Sequence, residues 1–136
     1  MGNVRWGWIV LGAFVAEVLG FVLLMCIRML HGYGPFALDP LSAVGNAAFL
    51  IELFLVFMLF GWWVARGARG LVLLNGLLVG VASVLIYEIA ARGFAGASIP
   101  LSAAYLLAHA VKIGGGAAGG WLAARQRAGS AVPRAA

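Results

Sequence analysis

Acidic side chains are scarce in this chain, four Asp and Glu among 136 residues against nine Lys and Arg. With charged residues at 10% and hydrophobic residues at 65%, there is too little polar surface to cover a water-soluble globule of this size. Cysteine occurs once. Cys26 therefore cannot form an internal disulfide or a dithiol redox pair, and it reads as a small buried apolar residue. Proline is confined to Pro35, Pro40, Pro100 and Pro133, so the long apolar runs between them carry no helix breaker. There is no Ser/His/Asp order, phosphate-cradling glycine loop, dinucleotide fingerprint or zinc-ligand spacing. His31 falls in a connection and His109 in an apolar run, so neither makes a metal set with Cys26. No enzyme, cofactor or metal is expected. The net charge of +5 has no folded basic surface to present, which argues against nucleic acid as a partner.

What the chain does have is length in its apolar stretches. Its mean hydropathy is +1.08, and windows of about 20 apolar residues, enough to cross a ~30 Å hydrocarbon core as a helix, fit four times. They cover 6–30, 41–65, 71–91 and 101–124, separated by Gly-, Pro- and charge-bearing connections. The expected fold is all-α: a four-helix transmembrane bundle running up-down-up-down as one domain over 1–125. Residues 126–136 read as a disordered tail. Arg5, Arg66, Arg69, Arg125, Arg127 and Arg134 gather on one side against Arg28 and Arg92 on the other, which predicts both termini in the cytoplasm. Trp6, Trp8, Trp62, Trp63 and Trp121 fall near that same side, as an aromatic belt would. A bacterial inner membrane is the expected location, and the lipid bilayer the first partner.

The remaining charges are out of place in such helices. Glu17, Glu52, Glu88 and the only lysine, Lys112, lie inside apolar stretches. A charge at the bilayer centre costs from ~2.5 to over 10 kcal/mol, so each has to be paired, neutralised or wetted. An internal repeat suggests partners. Pro40, Leu41, Ser42 and Ala43 recur as Pro100, Leu101, Ser102 and Ala103, and the same offset sets Gly20 on Gly80, Glu52 on Lys112 and Arg28 on Glu88. It describes two parallel hairpins related about an axis along the membrane normal, with chance similarity among common residues as the rival reading. Glu52 and Lys112 each lie twelve residues past a proline, ~18 Å along a helix. Both are thus near mid-membrane. Glu52 with Lys112, and Arg28 with Glu88, are the expected charge pairs.

Small residues mark contact faces. Gly12 and Gly20, Gly76 and Gly80, Gly115 and Gly119, and Gly116 and Gly120 are spaced to let backbones approach, either within the chain or between copies. Tyr105, His109, Lys112, Gly116 and Gly119 form one stripe on the last helix. Tyr105, Asn46, Asn75 and Tyr87 read as interhelical hydrogen-bonding groups.

Glu17 is left without a partner and becomes the candidate proton or substrate ligand. Buried carboxyls can exchange protons near neutral pH, as a proton-coupled carrier requires. His109 is its candidate relay, either to Glu17 or Glu52. The bland alternatives are a hydrogen-bonded Glu17 and a packing histidine.

Leu11, Gly12 and Ala13, followed by Val15, Ala16, Glu17, Val18, Leu19 and Gly20, resemble the first helix of the small multidrug resistance transporters. That resemblance implies a four-helix dimer in which Glu17 binds protons and cationic drugs alternately. It covers residues 11–20 alone. Glu52, Glu88, Lys112 and the strong arginine bias depart from the family pattern. The stretch from Lys112 to Trp121 resembles the glycine-rich last helix of small uncharacterised bacterial four-helix membrane proteins, and implies no activity. Two functions follow. One is a non-enzymatic accessory or structural subunit, alone as a homo-oligomer or in a larger membrane complex; the other is a small proton-coupled transporter using Glu17.

Overall fold

The computed structural model describes residues 3–30, 43–93 and 102–130, with side chains described from residue 47 onward in the second stretch. His31, Pro35, Pro40 and Pro100, and with them the proline anchors of the repeat, lie outside the described residues, as does the side chain of Asn46.

Lipid offers the peptide backbone no hydrogen bonds, so an apolar chain of this length must satisfy itself within helices or a closed barrel. Here it forms four helices: α1 Trp6–Leu30, α2 Ala43–Arg66, α3 Val72–Gly93 and α4 Ala103–Ser130. No strand occurs among the described residues. The fold is the expected all-α transmembrane bundle. Three of its helices, α1, α2 from Ala47 and α3, are long and apolar enough to cross a membrane on their own. α4 is not among them, because glycines, His109 and Lys112 dilute its apolar content. Its packing compensates, since α4 makes the most extensive contacts in the molecule, first with α2 and then with α3.

Those contacts depend on missing side chains. A Cβ on Gly76 would stand 2.5 Å from the Gly120 Cα, and one on Gly80 2.6 Å from the Ile113 Cα. On the other flank, a Cβ on Gly115 would meet the Phe54 carbonyl at 2.6 Å, and one on Gly119 would overlap the backbone of Met58 and Trp62. The two glycine pairs of α4 are therefore spent inside the chain: Gly116 and Gly120 on α3, Gly115 and Gly119 on α2. On α1 the small residues Gly12, Ala13, Ala16 and Gly20 are buried. Gly12 seats Val64, and Gly20 rests against Glu52 and Leu53. A core of Ile9, Ala13, Ala16, Leu53, Val56, Phe57, Val64 and Val79 joins α1, α2 and α3.

α1 packs on α2 and α3 but makes no backbone contact with α4. This arrangement does not repeat by halves. A two-fold exchange of the hairpins would map the α2–α3 contact onto an α4–α1 contact, and the described residues have none.

One end of the bundle is laced together. The Arg5 amide donates to Asn75 Oδ1 at 2.9 Å, Trp62 Nε1 donates to Gln126 Oε1 at 2.8 Å, and Arg127 donates to the Arg66 carbonyl at 2.6 Å. Trp8 and Trp63 meet edge to face at 5.2 Å, and guanidiniums of Arg5, Arg66 and Arg125 lie over Trp8, Trp62 and Trp121. The N-terminal segment, the α2–α3 connection and the end of α4 thus share one end. Residues 126–130, expected in a disordered tail, instead extend α4, because Gln126 and Arg127 have partners on α2. Leu71, in the α2–α3 connection, adopts φ 48° while its carbonyl accepts from both the backbone and side chain of Asn75.

Candidate functional site

Two of the interior charges, Glu17 and Lys112, meet at one depth, in a pairing different from the expected one. Lys112, on α4, has a side chain only 5% exposed and passes between α2 and α3 to reach α1. Its Nζ donates to Glu17 Oε1 at 2.5 Å. Ser83 of α3 donates to the same oxygen at 2.6 Å. The ammonium also lies 4.7 Å from the Tyr87 ring centroid and 5.6 Å from that of Phe57, both within cation–π reach. Glu17, the residue expected to be unpaired, is the one that pairs with Lys112.

Glu52, the expected partner of Lys112, makes no hydrogen bond among the described residues: both carboxylate oxygens are buried without a donor there. Helix register explains the exchange. Gly20 faces Glu52 across the α1–α2 contact, so Glu52 sits almost one helical turn further out than Glu17. Lys112 and Ser83 are level with Glu17.

The expected Arg28–Glu88 pair also fails. Ser83 bonds Glu17 across 66 positions of sequence, not the sixty of the repeat. On that register Arg28 lies about six residues, or ~9 Å, further out than Glu88. Glu88 instead bonds Arg92 at 2.7 Å on its own helix and stands 3.6 Å from His109 Nε2. Arg28 Nε has no hydrogen-bond partner among the described residues. Cys26, expected to be buried, is exposed on α1.

The expected stripe on α4 is realised in its outer half. Tyr105, His109 and Lys112 line a cavity of ≈ 330 Å³ with Glu17, Gly20, Phe21 and Leu24 of α1, Phe49 and Leu53 of α2, and Tyr87 of α3. Its floor is the Glu17–Lys112 pair. Its walls are largely apolar, with three clustered rings: Tyr105–His109 at 4.3 Å and Tyr87–His109 at 5.5 Å meet edge to face, and Tyr87–Tyr105 at 6.3 Å are tilted. The Tyr105 hydroxyl and both ring nitrogens of His109 make no hydrogen bond among the described residues, the His109 Nε2 standing 3.6 Å from Glu88. His109 reaches neither Glu17 nor Glu52 by hydrogen bond, and its nearest carboxylate is Glu88.

Toward the laced end the passage is shut. Ile9, Val79 and Val64 are essentially unexposed, and Gly80 is pressed against the α4 backbone. The next polar side chain in that direction on α3, Asn75, is fully buried and committed to Arg5 and Leu71.

Ser83 was not singled out in the sequence, although a lone hydroxyl in the centre of an apolar helix was its signal. Phe57 carried no such signal, since its place beneath Lys112 depends on the α2–α4 register. Among the described residues no group of three or more His, Cys, Asp or Glu side chains could hold a metal ion. No family model matches the chain, and neither the curated proteins nor the solved structures yield a match. The fold and the cleft define a small integral membrane protein with a charged floor beneath an apolar pocket.

Proposed function

We propose that this chain is a non-enzymatic inner-membrane protein of the accessory or structural kind, acting as a small oligomer or within a larger membrane complex. In this reading both termini face the cytoplasm, in line with the arginine bias. One observation carries it: Lys112 and Glu17 link α1 to α4, two helices with no backbone contact of their own. Buried, hydrogen-bonded by Ser83 and mutually neutralised, the pair acts as a strut.

Removing one member of such a pair strands the other charge and costs ~3–5 kcal/mol, whereas replacing both by apolar groups is often neutral or stabilising. Glu17→Gln and Lys112→Met are each expected to lower stability in detergent, and the double variant to recover most of the loss. A double variant as unstable as the worse single one would sink the strut. Native mass spectrometry of gently solubilised membranes checks the assembly: a chain found solely as a monomer would refute the subunit reading.

A second reading, the proton-coupled carrier, is supported by the cavity that reaches Glu17 from one end alone while the other is packed shut, the asymmetry an alternating-access protein needs. The resemblance around Glu17 adds to it. Here Glu17 would exchange Lys112 for a proton or substrate. Glu17→Gln would then abolish proton-driven uptake into proteoliposomes while the protein stayed folded; unchanged uptake would exclude it.

A further inference from the structure

The outer cleft has the chemistry of a ligand site, whether its floor serves as strut or carrier. We propose that it binds a neutral, lipid-soluble ring compound bearing carbonyl oxygens, of about naphthoquinone size.

Four properties of the cleft select this class. The first is charge: the lining contains one carboxylate and one ammonium, Glu17 and Lys112, already bonded to each other. Neither is left over for an ionic ligand. The second is donor supply. An ammonium carries three N–H groups and Lys112 commits one to Glu17, and the Tyr105 hydroxyl has no partner among the described residues; His109 is turned to Glu88 instead. Donors converging on a space that holds no spare anion call for a ligand rich in neutral acceptors, and carbonyl oxygens are the compact form of these.

The third property is the wall. Phe21, Leu24, Phe49 and Leu53 offer apolar surface, and His109 meets Tyr87 and Tyr105 edge to face, an aromatic cluster that a further flat ring can join. The fourth is volume and access. A cavity of roughly 150 Å³ accepts a single benzene ring, so ≈ 330 Å³ suits two fused rings with their substituents. Because α1 and α4 do not pack, the cleft opens between them, where Phe21 and Ala104 are exposed. That side faces lipid, so a ligand dissolved in the bilayer enters directly and a hydrocarbon tail has room to trail outward.

The probe is menadione, a two-ring diketone, with 2-methylnaphthalene as its carbonyl-free counterpart. Equilibrium dialysis against the full-length Cys26→Ala chain in lipid nanodiscs, which removes the exposed thiol that would add covalently to the quinone ring, with empty nanodiscs subtracted, is expected to show saturable binding of one menadione per chain. 2-Methylnaphthalene should bind at least about tenfold more weakly, the scale of one lost buried hydrogen bond. Tyr105→Phe keeps the ring and removes the free hydroxyl; it should weaken menadione about tenfold while leaving 2-methylnaphthalene unchanged. Ala108→Phe, which fills the cleft, should abolish both, with helicity by circular dichroism confirming a folded chain. Absence of saturable binding overturns the proposal. So does equal affinity for the two probes in the Cys26→Ala chain, which would mark an apolar hollow without carbonyl recognition. That comparison holds even where a variant fails to fold.

Discussion

Both carboxylate oxygens of Glu52 are buried without a donor among the described residues, one of them 3.5 Å from where a Cβ would stand on Gly20. A polar group left unsatisfied in this way costs ~1–3 kcal/mol. Nothing in the Glu17–Lys112–Ser83 cluster needs Glu52, so Glu52→Leu should stabilise the bundle by about 1–3 kcal/mol in detergent unfolding. A loss of stability would show that Glu52 has a partner the cluster hides. The same residues show how far sequence reasoning reaches at this scale. That Glu17, Glu52, Glu88 and Lys112 needed partners followed from their apolar surroundings. Which partner each took did not, because pairing depends on the sliding of one helix along another. A slip of almost one turn between α1 and α2, and of about six residues between α1 and α3, is enough to undo both expected pairs.

At the scale of the helix, the four elements and their bounds, the far end of α4 apart, were legible because membrane spans are long, proline-free and apolar. The small-residue faces were legible too, though not their targets. Spacing shows that Gly115, Gly116, Gly119 and Gly120 lie on contact faces, but whether those faces meet α2, α3 or a second copy is decided in three dimensions. Since a Cβ on Gly119 would overlap α2 backbone, Gly119→Val should force α4 off α2 and destabilise by at least ~1–3 kcal/mol. A Cβ on Gly114 would meet nothing within 4 Å, so Gly114→Ala should leave stability within about 1 kcal/mol of the parent or improve it. Detergent unfolding midpoints of the two variants check the contrast. Equal effects would mean that α4 does not depend on glycine for its seat.

At the scale of the molecule, the N-terminal segment and the end of α4 share one end of the bundle. In a Cys26→Ala background, Asn3→Cys and Ser130→Cys should therefore behave alike toward a membrane-impermeant maleimide. Under the proposed orientation both stay unlabelled in intact cells and react after permeabilisation. Opposite labelling of the two positions would contradict the packing, and joint labelling in intact cells would invert the orientation. The bundle was predictable as a whole while its symmetry was not: the repeat implied two equivalent halves, and the chain instead packs both α1 and α4 on α2 and α3 without a backbone contact between α1 and α4.

The link between Glu17 and Lys112 spans 95 positions of sequence, which gives the strut a dimension in time. A ribosome adding ~5–20 residues per second needs roughly 5–20 seconds to make the lysine after the glutamate. Throughout that interval α1 has left the ribosome with an unanswered acid on its inner face. The last helix to be made thus completes the first, and a chain stopped before α4 would present cellular proteolysis with a lone carboxyl where a finished one shows a neutralised pair.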